Sequence, residues 1–194
     1  MRFILASSSP RRRELLASLN ISFDIIKPEI DETQRPGEAP DTYVRRLSQD
    51  KAATVAASVQ PPITVLAADT IVIDDTRDQS VILGKPANTA EARETLRRLR
   101  GRTHTVCTAF TLLVRHSATS EKRITEAVRT AVTMRDYTDA EIETYIASGD
   151  PFDKAGSYAI QHPEFRPVAR LDGDYHNVVG LPLDAVRAAL NRVR

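Results

Sequence analysis

The stretch Ile4-Leu5-Ala6-Ser7-Ser8-Ser9-Pro10-Arg11-Arg12-Arg13 constrains the fold more than any other in this chain of 194 residues, because an apolar strand runs through a hydroxyl-rich turn straight into a helix. Pro10 suits the first helical position and Ser9 the cap before it, so the unpaired N–H groups of the first turn face the hydroxyls. The helix dipole adds positive potential there and favours an anion. Arginines at this end run against the dipole, and a bound polyanion offsets that cost. An ordinary solvated basic turn is the other reading of the same residues.

Strand and helix signals alternate beyond this point. Strands are expected near 3–6, 23–26, 64–74, 104–114 and 122–133, and helices near 10–19, 41–58, 89–100, 138–148 and 182–192. The third helix is followed by Gly101, Thr138 with Glu141 makes a capping box, Gly149 ends that helix, and Pro182 opens the last. The two long strands separated by the polar turn around Ser117 to Glu121 read as an antiparallel hairpin, so the sheet is mixed within an α/β fold. The Pro-rich segment Pro28 to Pro40 reads as a loop.

Composition narrows the function classes. The balance of 27 basic and 26 acidic residues lacks the excess that general nucleic-acid binding needs. No run approaches the roughly 18 apolar residues of a membrane span, and no apolar targeting segment precedes the first strand, so a soluble, cytoplasmic protein is expected. The single cysteine, Cys107, excludes an intrachain disulfide and sits in a strand-like run as a core residue. His104, His116, His162 and His176 show no metal-ligand spacing. Neither the P-loop pattern nor Gly-x-Gly-x-x-Gly occurs.

Several residues break their surroundings in ways that point to chemistry. Asp69 and Thr70 interrupt the buried-strand pattern Val65 to Ile73, and a carboxylate there needs a cation, a metal or a proton-transfer role. A strand-end cap or a paired core acid is the structural alternative. Lys51 falls on the apolar stripe Val44, Leu47, Lys51, Val55 and is expected to point inward, either into a cleft or as a snorkelling side chain. Lys85 stands in Gly84-Lys85-Pro86, a combination suited to a cation-presenting loop. Asp31 and Glu32 follow the second strand, and Asp153 opens Asp153-Lys154-Ala155-Gly156. With Asp69 these acids are expected to gather around one divalent ion, the usual companion of a polyphosphate, although each alone reads as a solvated loop acid.

Taken together, Ala6-Ser7-Ser8-Ser9-Pro10-Arg11-Arg12, Ala68-Asp69-Thr70, Gly84-Lys85-Pro86, Asp153-Lys154-Ala155-Gly156 and Asn177-Val178-Val179-Gly180-Leu181-Pro182-Leu183 stand in the order and spacing of one family. The chain resembles Maf proteins, nucleoside triphosphate pyrophosphatases once described as septum-formation inhibitors. The resemblance runs nearly end to end. It implies one domain over residues 1–194, with a mixed, elongated, twisted sheet flanked by helices and two lobes around a deep cleft, similar to inosine triphosphate pyrophosphatases.

The resemblance also implies roles. Asp69 becomes the general base, Ser7, Arg11 and Arg12 the phosphate-contacting turn, and Lys51 and Lys85 the inward lysines. Glu32 shares with Asp69 a divalent metal, Mg2+ or Mn2+. Arg11, Thr70 and Gln161 fall where the family selects its base. Lys154 to Gln161 looks like the branch acting on dTTP and UTP, and a Gln amide can pair with the donor and acceptor edge of uracil or thymine. The chain departs from that branch directly afterwards, with His162-Pro163-Glu164-Phe165-Arg166-Pro167 where a small Gly-rich segment is usual. A pyrophosphatase acting on 7-methyl-GTP or another modified nucleotide and a non-catalytic nucleotide-binding septation regulator are the alternatives. The implied partner is a nucleoside triphosphate, with a homodimer plausible and no nucleic acid or membrane.

Overall fold

The computed structural model describes residues 1–76 and 79–193. The chain runs through β1 (Arg2–Ala6), α1 (Pro10–Ala17), β2 (Asp24–Ile25), α2 (Pro40–Ala57), β3 (Ile63–Thr76), β4 (Gln79–Leu83), α3 (Thr89–Leu99), β5 (Thr103–Ser117), β6 (Ser120–Met134) and α4 (Asp139–Ala147). Two short 3-10 turns (Asp150–Asp153 and Ala155–Ser157), β7 (Val168–Asp172), α5 (Tyr175–Val179) and α6 (Leu183–Val193) complete it. Among the described residues seven strands form a sheet in the order β2-β1-β3-β5-β6-β7, with β4 paired to β3. β1 is parallel to β2 and β3, whereas β4 on β3 and β7 on β6 are antiparallel. A two-residue turn, Ala118–Thr119, joins the neighbours β5 and β6, which only an antiparallel pair allows. The sheet is mixed, as expected.

Two compact units emerge. The first comprises residues 1–69, 108–128 and those from 180 onward; the second comprises 70–107 and 129–179. In the first, side-chain alternation along the strands builds two cores. Leu5, Leu66, Ala68, Phe110 and Leu112 pack with Leu16 of α1 and with Leu183, Val186 and Ala189 of α6. Their alternates Ile4, Ala6, Ile63, Val65, Ala67 and Leu113 pack with Ala52, Val55 and Ala56 of α2. Both faces of these strands are buried, which is why they read as continuous apolar runs. The odd-numbered residues of β3 face α2, and Asp69 continues that series.

In the second unit Val72, Ala92, Leu96, Leu99, Val106, Val132, Tyr137, Ile142 and Tyr145 form one core between strands and α3 and α4. Asp74, almost wholly buried in β3, is held by Arg98 Nε at 2.5 Å and Arg102 at 3.1 Å, a paired core acid on the same strand as Asp69. The capping box of Thr138 and Glu141 is present at α4. Gly101 and Gly149 both take the left-handed conformation after their helices, with φ of 66° and 78°. Cys107 is fully buried.

Candidate active site

The α1 start has the geometry its residues dictate. Pro10 occupies the first turn, Ser9 is extended at the N-cap, and its hydroxyl accepts from Arg12 N at 3.4 Å. Ser7 is buried, and its Oγ accepts from Ser9 N at 3.1 Å, which shapes the turn. β1 ends at Ala6 opposite Ala67, two residues before Asp69, so this turn leaves the sheet close to Asp69, midway along β3. The carboxyl end of a parallel strand such as β1 is where open α/β sheets place their ligands.

Arg12 is half-buried and donates from Nε to the Gly180 carbonyl at 2.8 Å, so the loop before α6 fixes the guanidinium. Burial lowers its pKa, the charges of Asp69 and Glu32 work against that, and neighbouring Arg11 adds to the lowering. Asp69 and Glu32 therefore lie within electrostatic reach of the α1 cations.

Lys51 is the centre of the site. Its Nζ lies 2.6 Å from Asp69 Oδ1 and 2.7 Å from Glu32 Oε1. Lys51 and Asp69 are buried, with 7% and 8% of their surface exposed, whereas the Glu32 side chain is half-exposed. Strand alternation aims Asp69 at α2 and the helical stripe aims Lys51 back at β3, so their meeting follows from two periodicities. Tyr43 Oη donates to the Glu32 carbonyl at 2.8 Å and ties the acidic loop to α2. Its pKa is raised, first by burial and then by the charges of Asp69 and Glu32. The motif reading missed Tyr43 and the Gly180 carbonyl. For Tyr43 a signal existed, because Tyr43, Leu47 and Lys51 recur every four residues on one helix face.

The expected gathering of acids is smaller than the sequence suggested. Asp31 turns away from Lys51 and accepts from Thr33 N at 2.9 Å. Asp31 and Thr33 line a cavity of about 540 Å³ with Arg35, Arg46, Asp50 and Thr54, and none of Glu32, Lys51 and Asp69 borders it. Asp153 pairs with buried Lys154 at 2.6 Å, and the same ammonium holds Asp150 Oδ1 at 2.8 Å, so this motif staples its own loop. Among the described residues no group of three or more His, Cys, Asp or Glu side chains is gathered to hold a metal. Glu32 and Asp69 remain, both turned on the Lys51 ammonium. Two carboxylates completed by substrate phosphates are the donor set that Mg2+ usually takes, so these residues fit such an ion without a protein-only cage.

Ser7, Arg11, Arg12, Glu32, Lys51 and Asp69 thus belong to the first unit. Thr70, Lys85 and Gln161 belong to the second. Thr70 follows Asp69 and is half-buried, Lys85 is exposed, and Gln161 is exposed in the turn after the second 3-10 segment. Gly84, beside Lys85, accepts from Gly156 N at 3.1 Å, which links the lysine loop to the turn leading toward Gln161.

The chain is thus a mixed α/β protein with an arginine-bearing helix start near a buried lysine–carboxylate centre. Its family follows from comparison: the Maf-like protein profile matches residues 2–193, and the chain belongs to the Maf family. A dTTP/UTP pyrophosphatase from Myxococcus xanthus is 48% identical over 189 residues, 97% of this chain and 91% of the relative. Those from Syntrophus aciditrophicus and Geobacter sulfurreducens are 44% and 43% identical, over 95% and 99% of this chain and 86% and 96% of theirs. Among solved structures, a HAM1 protein from Coxiella burnetii matches with a TM-score of 0.51 at 14% identity, covering 99% of each chain. The Staphylococcus aureus Ham1 protein matches at 0.50 and 13%, covering 100% of both. These two likenesses establish a shared fold.

Proposed function

We propose that the protein hydrolyses dTTP and UTP between the α and β phosphates, releasing the nucleoside monophosphate and pyrophosphate. The observation that carries this reading is the Lys51–Asp69 pair, buried midway along β3 two residues past the point where β1 leaves it for the arginine-bearing start of α1. The substrate class comes from relatives named dTTP/UTP pyrophosphatase at 43–48% identity.

Asp69 accepts a proton from the water that attacks the α phosphorus as the bridging P–O bond breaks and pyrophosphate departs. An ammonium has three N–H donors, and the two carboxylates take two of those of Lys51, which leaves one for a phosphate oxygen. Arg11 and Arg12 bind further phosphate oxygens and stabilise charge on the leaving group, with Ser7 shaping the turn that presents them. Glu32 and Asp69 would hold Mg2+ or Mn2+, which when bound would neutralise charge on the triphosphate. Lys85 as a phosphate ligand, and Thr70 and Gln161 as determinants of the base, rest on the family motifs they occupy.

The test is kcat/KM for the purified protein across dTTP, UTP, CTP, GTP and 7-methyl-GTP, with the products identified. Monophosphate and pyrophosphate from dTTP and UTP, well ahead of the others, are expected. Diphosphate and orthophosphate as products, or a preference for the methylated purine, would overturn the assignment.

A further inference from the structure

His162 to Pro167, the segment that departs from the family pattern, is anchored on both sides within the second unit. Its anchor is Tyr145 of α4, which is 2% exposed. Tyr145 Oη donates to Asp150 Oδ2 at 2.6 Å and accepts from Ala159 N at 3.0 Å, so its hydroxyl fixes the backbone two residues before Gln161. The ring stacks on Phe165 at 4.4 Å and 13°, and it meets His162 edge-on at 4.8 Å. Phe165, 5% exposed, donates from its backbone N to His162 Nδ1 at 3.0 Å. Arg135 closes the turn from outside, with Nε on the Arg166 carbonyl at 2.7 Å and a terminal nitrogen on the Phe165 carbonyl at 2.8 Å. Gln161, itself exposed, is thus carried on backbone pinned on both sides.

We propose that Tyr145 and Phe165 are positioning residues for base recognition by Gln161. This rests on the reading above, in which the Gln161 amide meets the base. Two hydrogen bonds from one amide to the edge of a pyrimidine require the amide in one place, because such bonds weaken steeply away from their preferred distance and angle. A Gly-rich turn would have to be ordered when the nucleotide binds, and that lost entropy reduces affinity. Here an aromatic stack and four backbone hydrogen bonds order the turn beforehand. The benefit falls on the base and not on the phosphates, whose ligands are other residues.

The experiment compares binding of UTP with that of inorganic tripolyphosphate, which has no base, by calorimetry in EDTA for the full-length wild type, Gln161→Ala, Tyr145→Phe and Phe165→Leu. Tyr145→Phe keeps the ring and deletes the hydroxyl; Phe165→Leu keeps apolar volume and deletes the stack, and it carries the test if the first variant folds poorly. UTP should bind about tenfold more weakly to each positioning variant, with tripolyphosphate within about twofold of wild type. In turnover the KM for UTP should rise while kcat stays within about twofold. Adding Gln161→Ala to either variant should weaken UTP little further, since the amide they position is already gone. Equal losses for UTP and tripolyphosphate, or no loss for either, would overturn the proposal. If Gln161→Ala itself leaves UTP binding unchanged, the base-reading role of Gln161 is what fails.

Discussion

Replacing Lys51 with Met keeps most of the apolar stem and removes the ammonium between Asp69 and Glu32. The Asp69 side chain retains 12% of its exposure, so the variant leaves a nearly buried carboxylate with the charge of Arg12 as compensation. Removing one partner of a buried ion pair typically costs about 3–5 kcal/mol, and the residual exposure together with Arg12 places this case near 3 kcal/mol. Half-exposed Glu32 adds little, because solvent screens it. For a chain of this size that corresponds to a fall in melting temperature of about 6–12 °C. Asp69→Asn should cost less than Lys51→Met, because it leaves Lys51 its second carboxylate. The double variant Lys51→Met/Asp69→Asn should recover at least about 2 kcal/mol of the single-variant loss, since neutral partners need no mutual charge. Urea and thermal denaturation of all four proteins near pH 7.5 measures these differences. A Lys51→Met loss below about 1 kcal/mol, or a double variant no more stable than the single, would refute the claim that this pair is buried and coupled.

Three further outcomes follow from other contacts. Arg12→Lys gives up the Nε bond to the Gly180 carbonyl and should cost about 1–2 kcal/mol in denaturation while raising the KM for dTTP. Gly156→Ala puts a methyl 2.8 Å from Val72 Cγ2 at a φ of +71°, so overpacking and left-handed strain together should cost about 2–4 kcal/mol, read from the urea midpoint. Burial lowers the pKa of His104 from 6.5 to about 4, against a smaller opposing effect of Asp74. Between those values the unfolded chain binds the extra proton, so stability falls as pH drops from about 6.5 to about 4, by up to about 3 kcal/mol. His104→Gln should flatten that part of the stability–pH curve.

Local signals carried most of the fold. The Ser9–Pro10 start of α1 and the Thr138–Glu141 box of α4 were legible because caps depend on neighbours in sequence. β4 and β7 were not: each has five residues, β7 follows Pro167 with little burial, and their pairing with β3 and β6 is decided by partners distant in sequence. The five-residue α5 and the 3-10 turns are too short for periodicity to register. At the site, Lys51 and Asp69 each stood out as a charge in an apolar pattern. Only the register of β1 on β3 and the packing of α2 on odd-numbered residues of β3 bring them to 2.6 Å. Composition could not separate Glu32, which turns to Lys51, from Asp31, its neighbour, which turns to the cavity. Nor could it reveal that Asp153 has Lys154 as its partner or that a backbone carbonyl at Gly180 holds Arg12.

The most direct test of the central claim is pyrophosphate release from dTTP and UTP by wild type and Asp69→Asn, with Mg2+ or Mn2+ and with EDTA, after denaturation curves establish that both proteins fold. Metal-dependent release by the wild type is expected, with a loss on the order of a hundredfold or more in kcat for Asp69→Asn and a smaller change in KM. A folded Asp69→Asn protein turning over dTTP at the wild-type rate would contradict it.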